Sequence, residues 1–172
     1  MTVRGVARET VHWLGRLRPF ILGAIALSIW PAVDPALVGP PRFLGTEPEH
    51  VSETFTRCGR GRGHACVVDG DTFRLGDRRI RVIGIDAPET HSARCRNEAE
   101  RGERATVKLQ ALLNQGPFEM TGWWHNRRDR YGRELMSITR PRPDGTKQSI
   151  AAEMRDSGMA RYYTGGLRGG WC

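Results

Sequence analysis

Residues 67–90 read VVDGDTFRLGDRRIRVIGIDAPET, and the reading of this stretch decides the fold. It has the character of a β-hairpin turned at Gly76-Asp77, yet it carries three carboxylates, Asp71, Asp86 and Glu89, and the guanidinium of Arg81. In period two, Asp71 shares a face with Phe73 and Leu75, while Asp86 falls on the parity of Ile80, Val82 and Gly84. Both aspartates therefore end core-facing rows. An unpaired charge in such a place costs on the order of several kcal/mol of lost solvation, so each asks for an arginine or a metal. All-oxygen donors suit calcium or magnesium, whereas zinc would recruit His or Cys. Few protein ligands completed by water suit the loose geometry of calcium best. Taken alone, Asp69-Gly70-Asp71 reads equally well as an ordinary turn. An EF-hand is excluded, because Arg74 and Ile80 fall where that loop needs its glycine and its bidentate glutamate.

Outward from this stretch, strand character begins near Phe55 or His64 and continues through Val67-Val68, Phe73 to Leu75 and Ile80 to Ile85. Glu98 to Asn114 then turns helical, with Ala105, Leu109, Leu112 and Leu113 forming one apolar stripe that Gly116-Pro117 ends. This helix reads as scaffold. Phe118 to Trp124 and Glu134 to Thr139 make a fourth and a fifth strand around the basic loop His125 to Arg130. A short helix, Lys147 to Ser157, stops at Gly158. The expected fold is mainly β with helices: a five-stranded OB-fold barrel with one helix between strands 3 and 4 and a short one after strand 5.

A second motif, Asp129-Arg130-Tyr131-Gly132-Arg133, follows the first at a distance. DGDT, IRVIGIDAPET and DRYGR, in that order and spacing, resemble the staphylococcal-nuclease-like (thermonuclease) family over roughly Cys66 to Tyr163. The resemblance implies the same barrel and a calcium-dependent phosphodiesterase acting on DNA and RNA with little sequence preference. Carried over position by position, it makes Asp71, Asp86 and the main-chain carbonyl of Ala87 the Ca2+ ligands, with Asp69 supporting their loop from behind. Family members frequently have Thr where Ala87 stands. Glu89 becomes the general base or water-orienting group, and Arg81 and Arg133 the phosphate-gripping arginines. Arg130 and Tyr131 would contact a neighbouring phosphate, and Tyr162 or Tyr163 would stack on a base. Taken singly, Arg81 and Arg133 read equally as ion-pair partners of Asp71 or Asp86. The family's further C-terminal helix is replaced here by GGLRGGWC.

The chain has 27 Lys and Arg against 19 Asp and Glu, a net charge of +8 and a pI of about 10.1. The balance stays positive after residue 44 and is mostly arginine, which favours polyanions that accept two hydrogen bonds at once. Arg4, Arg8, Arg16 and Arg18 precede the apolar run FILGAIALSIW, residues 20–30, in the layout of an export signal. Pro31, Asp34 and Pro35 spoil the cleavage region, so an uncleaved inner-membrane anchor near residues 19–38 is the alternative. Residues 19–33 would cover only about 22 Å of a hydrocarbon core of roughly 30 Å. Either version sends the remainder out of the cytoplasm, to the periplasm or beyond.

The expected organisation is 1–44 leader, 45–54 linker and 55–172 nuclease-like domain, a monomer with no protein partner. Four cysteines in an exported domain suggest two disulfides, with three connectivities open. The CGRGRGHAC loop favours Cys58 with Cys66, which leaves Cys95 with Cys172 to pin the tail. Zinc is disfavoured, since no second close ligand pair joins His64 and Cys66. Two further functional classes remain beside the enzyme. One is a barrel that has lost catalysis and reads nucleic acid or peptide; the other is a membrane-tethered polyanion binder.

Overall fold

The computed structural model describes residues 39–59, 63–125, 128–166 and 168–172. The leader through residue 38 and part of the two loops after Gly59 and His125 lie outside these residues. Among the described residues, no helix is long and apolar enough to cross a membrane.

The fold is mainly β, with two helices packed on a curled, mixed sheet. Strands β3 (Ala65–Asp69), β4 (Thr72–Leu75) and β5 (Arg78–Val82) form an antiparallel meander, with β2 (Thr56–Arg57) parallel to β3 at one edge. A bulge between Val67 and Asp69 bends β3 just before the Gly70-Asp71 turn. The central strand β8 (Glu134–Pro141) serves two neighbours. Its first residues run parallel to β5, with Arg81 opposite Leu135, and the next pair antiparallel with β7 (Phe118–Thr121). That double use curls the sheet and brings the start of β8, with Arg133 just before it, against the meander.

β1 (Glu49–Val51) pairs with β7, so part of the expected linker is instead an edge strand. Phe55 lies in the core, its main-chain N–H and C=O satisfied by the amide of Asn114, which caps the first helix. Phe55, Phe73 and Phe118 meet with ring centroids 5.3 to 6.3 Å apart, Phe73 edge-on to both others, each such pair worth about 0.5–1.5 kcal/mol beyond burial.

Helix α1 (Arg96–Leu113) buries the expected stripe of Ala105, Leu109, Leu112 and Leu113. Three element boundaries differ from the sequence reading. The strand read as Ile80 to Ile85 breaks at Ile83-Gly84, where Gly84 has φ 81°, and resumes as β6 (Ile85–Asp86). Consequently Asp86 is not in register with Ile80 and Val82, although it is buried with them. Likewise Leu75 is only half-buried, because the meander twists out of the core there. The segment after β8 begins as a third partner, β9 (Lys147–Ser149), and only then becomes helix α2 (Ile150–Asp156), capped by the Ser149 hydroxyl. β7 ends at Thr121, short of the expected Trp124, and Trp123 pairs with Gly45 as an isolated bridge outside the strand. A last short strand, β10 (Arg161–Tyr162), pairs with β6 and sets Arg161 opposite Asp86.

Both favoured disulfides are present. Cys58 bonds Cys66 and Cys95 bonds Cys172, with Cα separations of 4.9 and 6.1 Å.

Candidate active site

The site forms where the Gly70-Asp71 turn, the loop after β6 and the start of β8 converge. Gly70 makes this approach possible: a Cβ there would stand 2.6 Å from that of Ala105 on α1 and 2.7 Å from that of Ala87. Asp71 and Arg81 are 4% and 2% exposed and face each other, Arg81 Nη1 lying 2.6 Å from Asp71 Oδ1. The Thr72 hydroxyl donates to the same oxygen, and the Ala87 N–H donates to Oδ2. Burial alone would raise the Asp71 pKa; Arg81, the Thr72 hydroxyl, Arg133 and the Ala87 N–H together hold it below the usual carboxylate range.

Arg133 reaches the same place from the other strand. Its Nη1 donates to Thr72 Oγ1 at 3.2 Å, so one hydroxyl links it to Asp71. Asp129 fixes this arginine. Its Oδ1 accepts the N–H groups of Tyr131 and Arg133, and its Oδ2 accepts Arg133 Nε at 2.7 Å, closing the DRYGR loop around Gly132 at φ 74°. The Asp129 carboxyl is held low because these bonds outweigh its burial.

Asp86, 2% exposed, is satisfied from another direction. Arg161 on β10 grips its Oδ2 through Nε and Nη2 at 3.0 and 2.7 Å, and Trp171 Nε1 donates to the same oxygen at 3.2 Å. Arg168 Nε lies 3.4 Å from Oδ1. All three donors lie after the second motif, and the Cys95–Cys172 bond holds their tail down.

Glu89 sits between these two clusters. Helix α1 passes so close beneath it that a Cβ on Gly102 would be 2.5 Å from the Glu89 carbonyl oxygen. The helix read as scaffold therefore also sets the height of the Glu89 backbone. Burial first, and then the charge of Asp71, push the Glu89 pKa up, opposed by Arg168, Arg81 and Arg133. Asp69, whose Oδ1 accepts the Asp71 N–H, is pushed up to about 7, by burial first and then by the charges of Asp71 and Glu89. Two clefts open here. One, of about 440 Å³, is lined by Asp69, Glu89, Tyr131, Arg133 and Arg168; the other, of about 180 Å³, by Asp86, Ala87, Glu89, Arg161, Arg168 and Trp171.

A family model, Staphylococcal nuclease homologue, matches residues 79–167. The chain belongs to the staphylococcal nuclease homologue family. The matched span begins inside β5, so the DGDT turn precedes it, and no curated protein matches the chain.

For a staphylococcal nuclease homologue, the remaining sequence-predicted residues divide. Tyr131 lines the larger cleft and carries Arg130 and Arg133 over its ring at 4.9 and 5.3 Å. Tyr163 packs with Ile83 and Leu135 and carries Arg168 over its ring at 5.3 Å. Tyr162 is exposed, pairs with Arg155 and lines neither cleft, and Arg130 lines neither as well. His91 and His125 are exposed, as expected.

The donors at this site are all oxygens, which suits a hard cation. The crowding of Asp69, Asp71 and Glu89, visible in their raised or opposed pKa values, is the kind of repulsion a divalent ion relieves. Among the described residues, no group of three or more His, Cys, Asp or Glu side chains forms a metal-holding set.

Sequence reasoning missed Gly102, Asp129, Arg161, Arg168 and Trp171. A glycine inside a helix, which costs about 1 kcal/mol against alanine, was the legible signal for the first.

Proposed function

We propose that the chain is a metal-dependent phosphodiesterase that cuts DNA and RNA with little regard to sequence. The observation that carries this reading is the shared cleft of Glu89, Arg133 and Asp69, joined to Asp71 and Arg81 through Thr72. On this reading β3, β4, β5, β7 and β8 are the five strands of an OB barrel, with α1 after the third and α2 after the fifth.

Asp71, Asp86 and the Ala87 carbonyl would hold the cation, calcium being the best fit to few ligands and loose geometry. When bound, it supplies positive charge to a non-bridging phosphate oxygen. Glu89, its pKa raised by burial and by the charge of Asp71, takes a proton from the attacking water or orients it. Arg133, at the cleft wall, donates to the phosphate oxygens as they gather charge. Arg81, buried on Asp71, acts mainly by holding that carboxylate ionised and aimed. Asp69 braces the turn through the Asp71 N–H. Tyr131 with Arg130 takes an adjacent phosphate, and Tyr163 or Tyr162 offers a base-stacking face. The protein acts as an exported monomer, in the periplasm or beyond, with residues near 19–38 as signal or membrane anchor.

One observation favours a second reading, a barrel that binds nucleic acid without cutting it. The Asp86 carboxylate is already met by Arg161, Arg168 and Trp171. The full-length chain incubated with plasmid or RNA separates the two. Degradation in calcium, lost in chelator and lowered at least about 10²-fold by Glu89→Gln, is the expected result. Cleavage that ignores both changes overturns the mechanism, and retention of nucleic acid without cleavage establishes the binding module.

A further inference from the structure

The motifs account for two arginines at the site, and the tail brings another. We propose that Arg168 is a third phosphate-binding arginine, gripping the backbone of a single strand that runs from one cleft to the other. The inference rests on the nuclease reading and deepens it.

Arg168 lines both clefts, which no other arginine at either cleft does. Its pairs are long: 3.4 Å to Asp86 and 3.6 Å to Glu89, against 2.6 Å for Arg81 on Asp71 and 2.7 Å for Arg161 on Asp86. Coulomb attraction at such separations, beside solvent, holds a guanidinium weakly, so a phosphate that accepts two short bonds draws it away at small cost. The two motif arginines are more tightly paired and less exposed than Arg168. Arg81 spends its terminal nitrogens on Asp71 and the Ile85 carbonyl, and Arg133 divides its donors between Asp129 and Thr72. Their side chains are 2% and 11% exposed, against 35% for Arg168.

The backbone that carries Arg168 is fixed on either side. Upstream, the Tyr163 hydroxyl donates to the Gly166 carbonyl, and the Tyr163 ring lies under the guanidinium. Downstream, Trp171 donates to Asp86 with Arg101 and Arg161 over its ring, and Cys172 is bonded to Cys95 at the head of α1. Arg168 also donates to the Tyr163 hydroxyl, so that its ion pairs, rather than every contact, are loose; on an anchored backbone it can shift toward a phosphate without a loop having to order, which keeps the entropic cost of binding low.

The test uses the full-length Glu89→Gln chain in calcium and a fluorescent single-stranded oligothymidylate, read by anisotropy over a range of salt. Adding Arg168→Ala is expected to weaken binding about tenfold and to reduce the slope of log affinity against log salt by about 0.7, the value for one phosphate contact on a single strand. Arg168→Lys should keep the slope while losing part of the affinity, which separates charge from folding. Cys172→Ser should move both quantities in the direction of the alanine change. Unchanged slope and affinity in Arg168→Ala overturn the proposal. So does tighter binding, because it would show that Arg168 competes with substrate or cation for Asp86 and Glu89. Failure of the unmodified chain to cut in calcium would sink the nuclease reading, while the slope would still report on Arg168.

Discussion

Asp71 and Asp86 are equally buried, but different parts of the chain neutralise them. Asp71 is met by Arg81 from the next strand, by its neighbour Thr72 and by the Ala87 N–H, all within one supersecondary unit. Asp86 is met by Arg161, Arg168 and Trp171 from the last twelve residues, a segment held by the two-residue pairing of β10 with β6 and by a disulfide. One carboxylate is thus built into the curled sheet and the other is covered by a strap. The first has its counter-charge sealed with it, whereas the arginines of the second are about a third exposed. A charge pair sealed from water is expensive to break, and a pair with one wet partner is cheap.

The largest expected effect follows directly. Asp71→Asn should cost about 3–5 kcal/mol in chemical denaturation, because it strands a 2%-exposed guanidinium. Asp86→Asn should cost no more than about half as much, since Arg161 and Arg168 can turn to solvent. Equal losses would break the distinction between sheet and strap.

That distinction also marks what the sequence could convey. Asp71, Arg81, Glu89 and Arg133 were legible because they fall in motifs that resemble a known family, and the structure brings Asp71, Arg81 and Arg133 together around the Thr72 hydroxyl. Both disulfides were legible from loop composition and the end of the chain. The partners of Asp86 were not, because residues 161–172 carry no periodicity; their position depends on the β6–β10 pairing and the Cys95 bond. The Gly84 break was missed for a related reason. An apolar run with one glycine reads as continuous strand until its φ is known. The parity argument for Asp86 thus gave the right burial for the wrong reason.

A smaller effect is expected at Gly102, beneath the loop that separates the two carboxylates. Helix propensity alone predicts that Gly102→Ala stabilises by about 1 kcal/mol. The added Cβ would instead sit 2.5 Å from the Glu89 carbonyl oxygen, a backbone atom that cannot swing aside. A net loss of about 1–3 kcal/mol is expected, with nucleolytic turnover falling more than substrate affinity. A stabilised variant with unchanged turnover would show that α1 does not set the position of Glu89.

The last expected effect concerns pH and isolates the crowding on the Asp71 side. Asp69 has a pKa of about 7 in the fold against 3.8 for a free side chain, raised by burial and by the charges of Asp71 and Glu89. A carboxyl raised in this way contributes stability that is fully present below about 3.8 and is lost as pH climbs through about 7. Asp71 and Asp129, both held low, contribute with the opposite sign and in a lower window, their share being lost only as pH falls below about 3.8, while Glu89, raised by burial and by the charge of Asp71, adds to the loss above it. The contribution of Asp69 appears in the difference from Asp69→Asn. The unmodified chain should lose stability relative to the variant between pH 4 and 7 and run parallel to it above. Calcium should shrink that relative loss, because a cation beside Asp71 offsets the repulsion that raises Asp69. A difference that stays flat across this range would mean that Asp69 is ionised throughout, with solvent or a cation already relieving the crowding, and the contrast between a sealed and a strapped carboxylate would then rest on Arg81 alone.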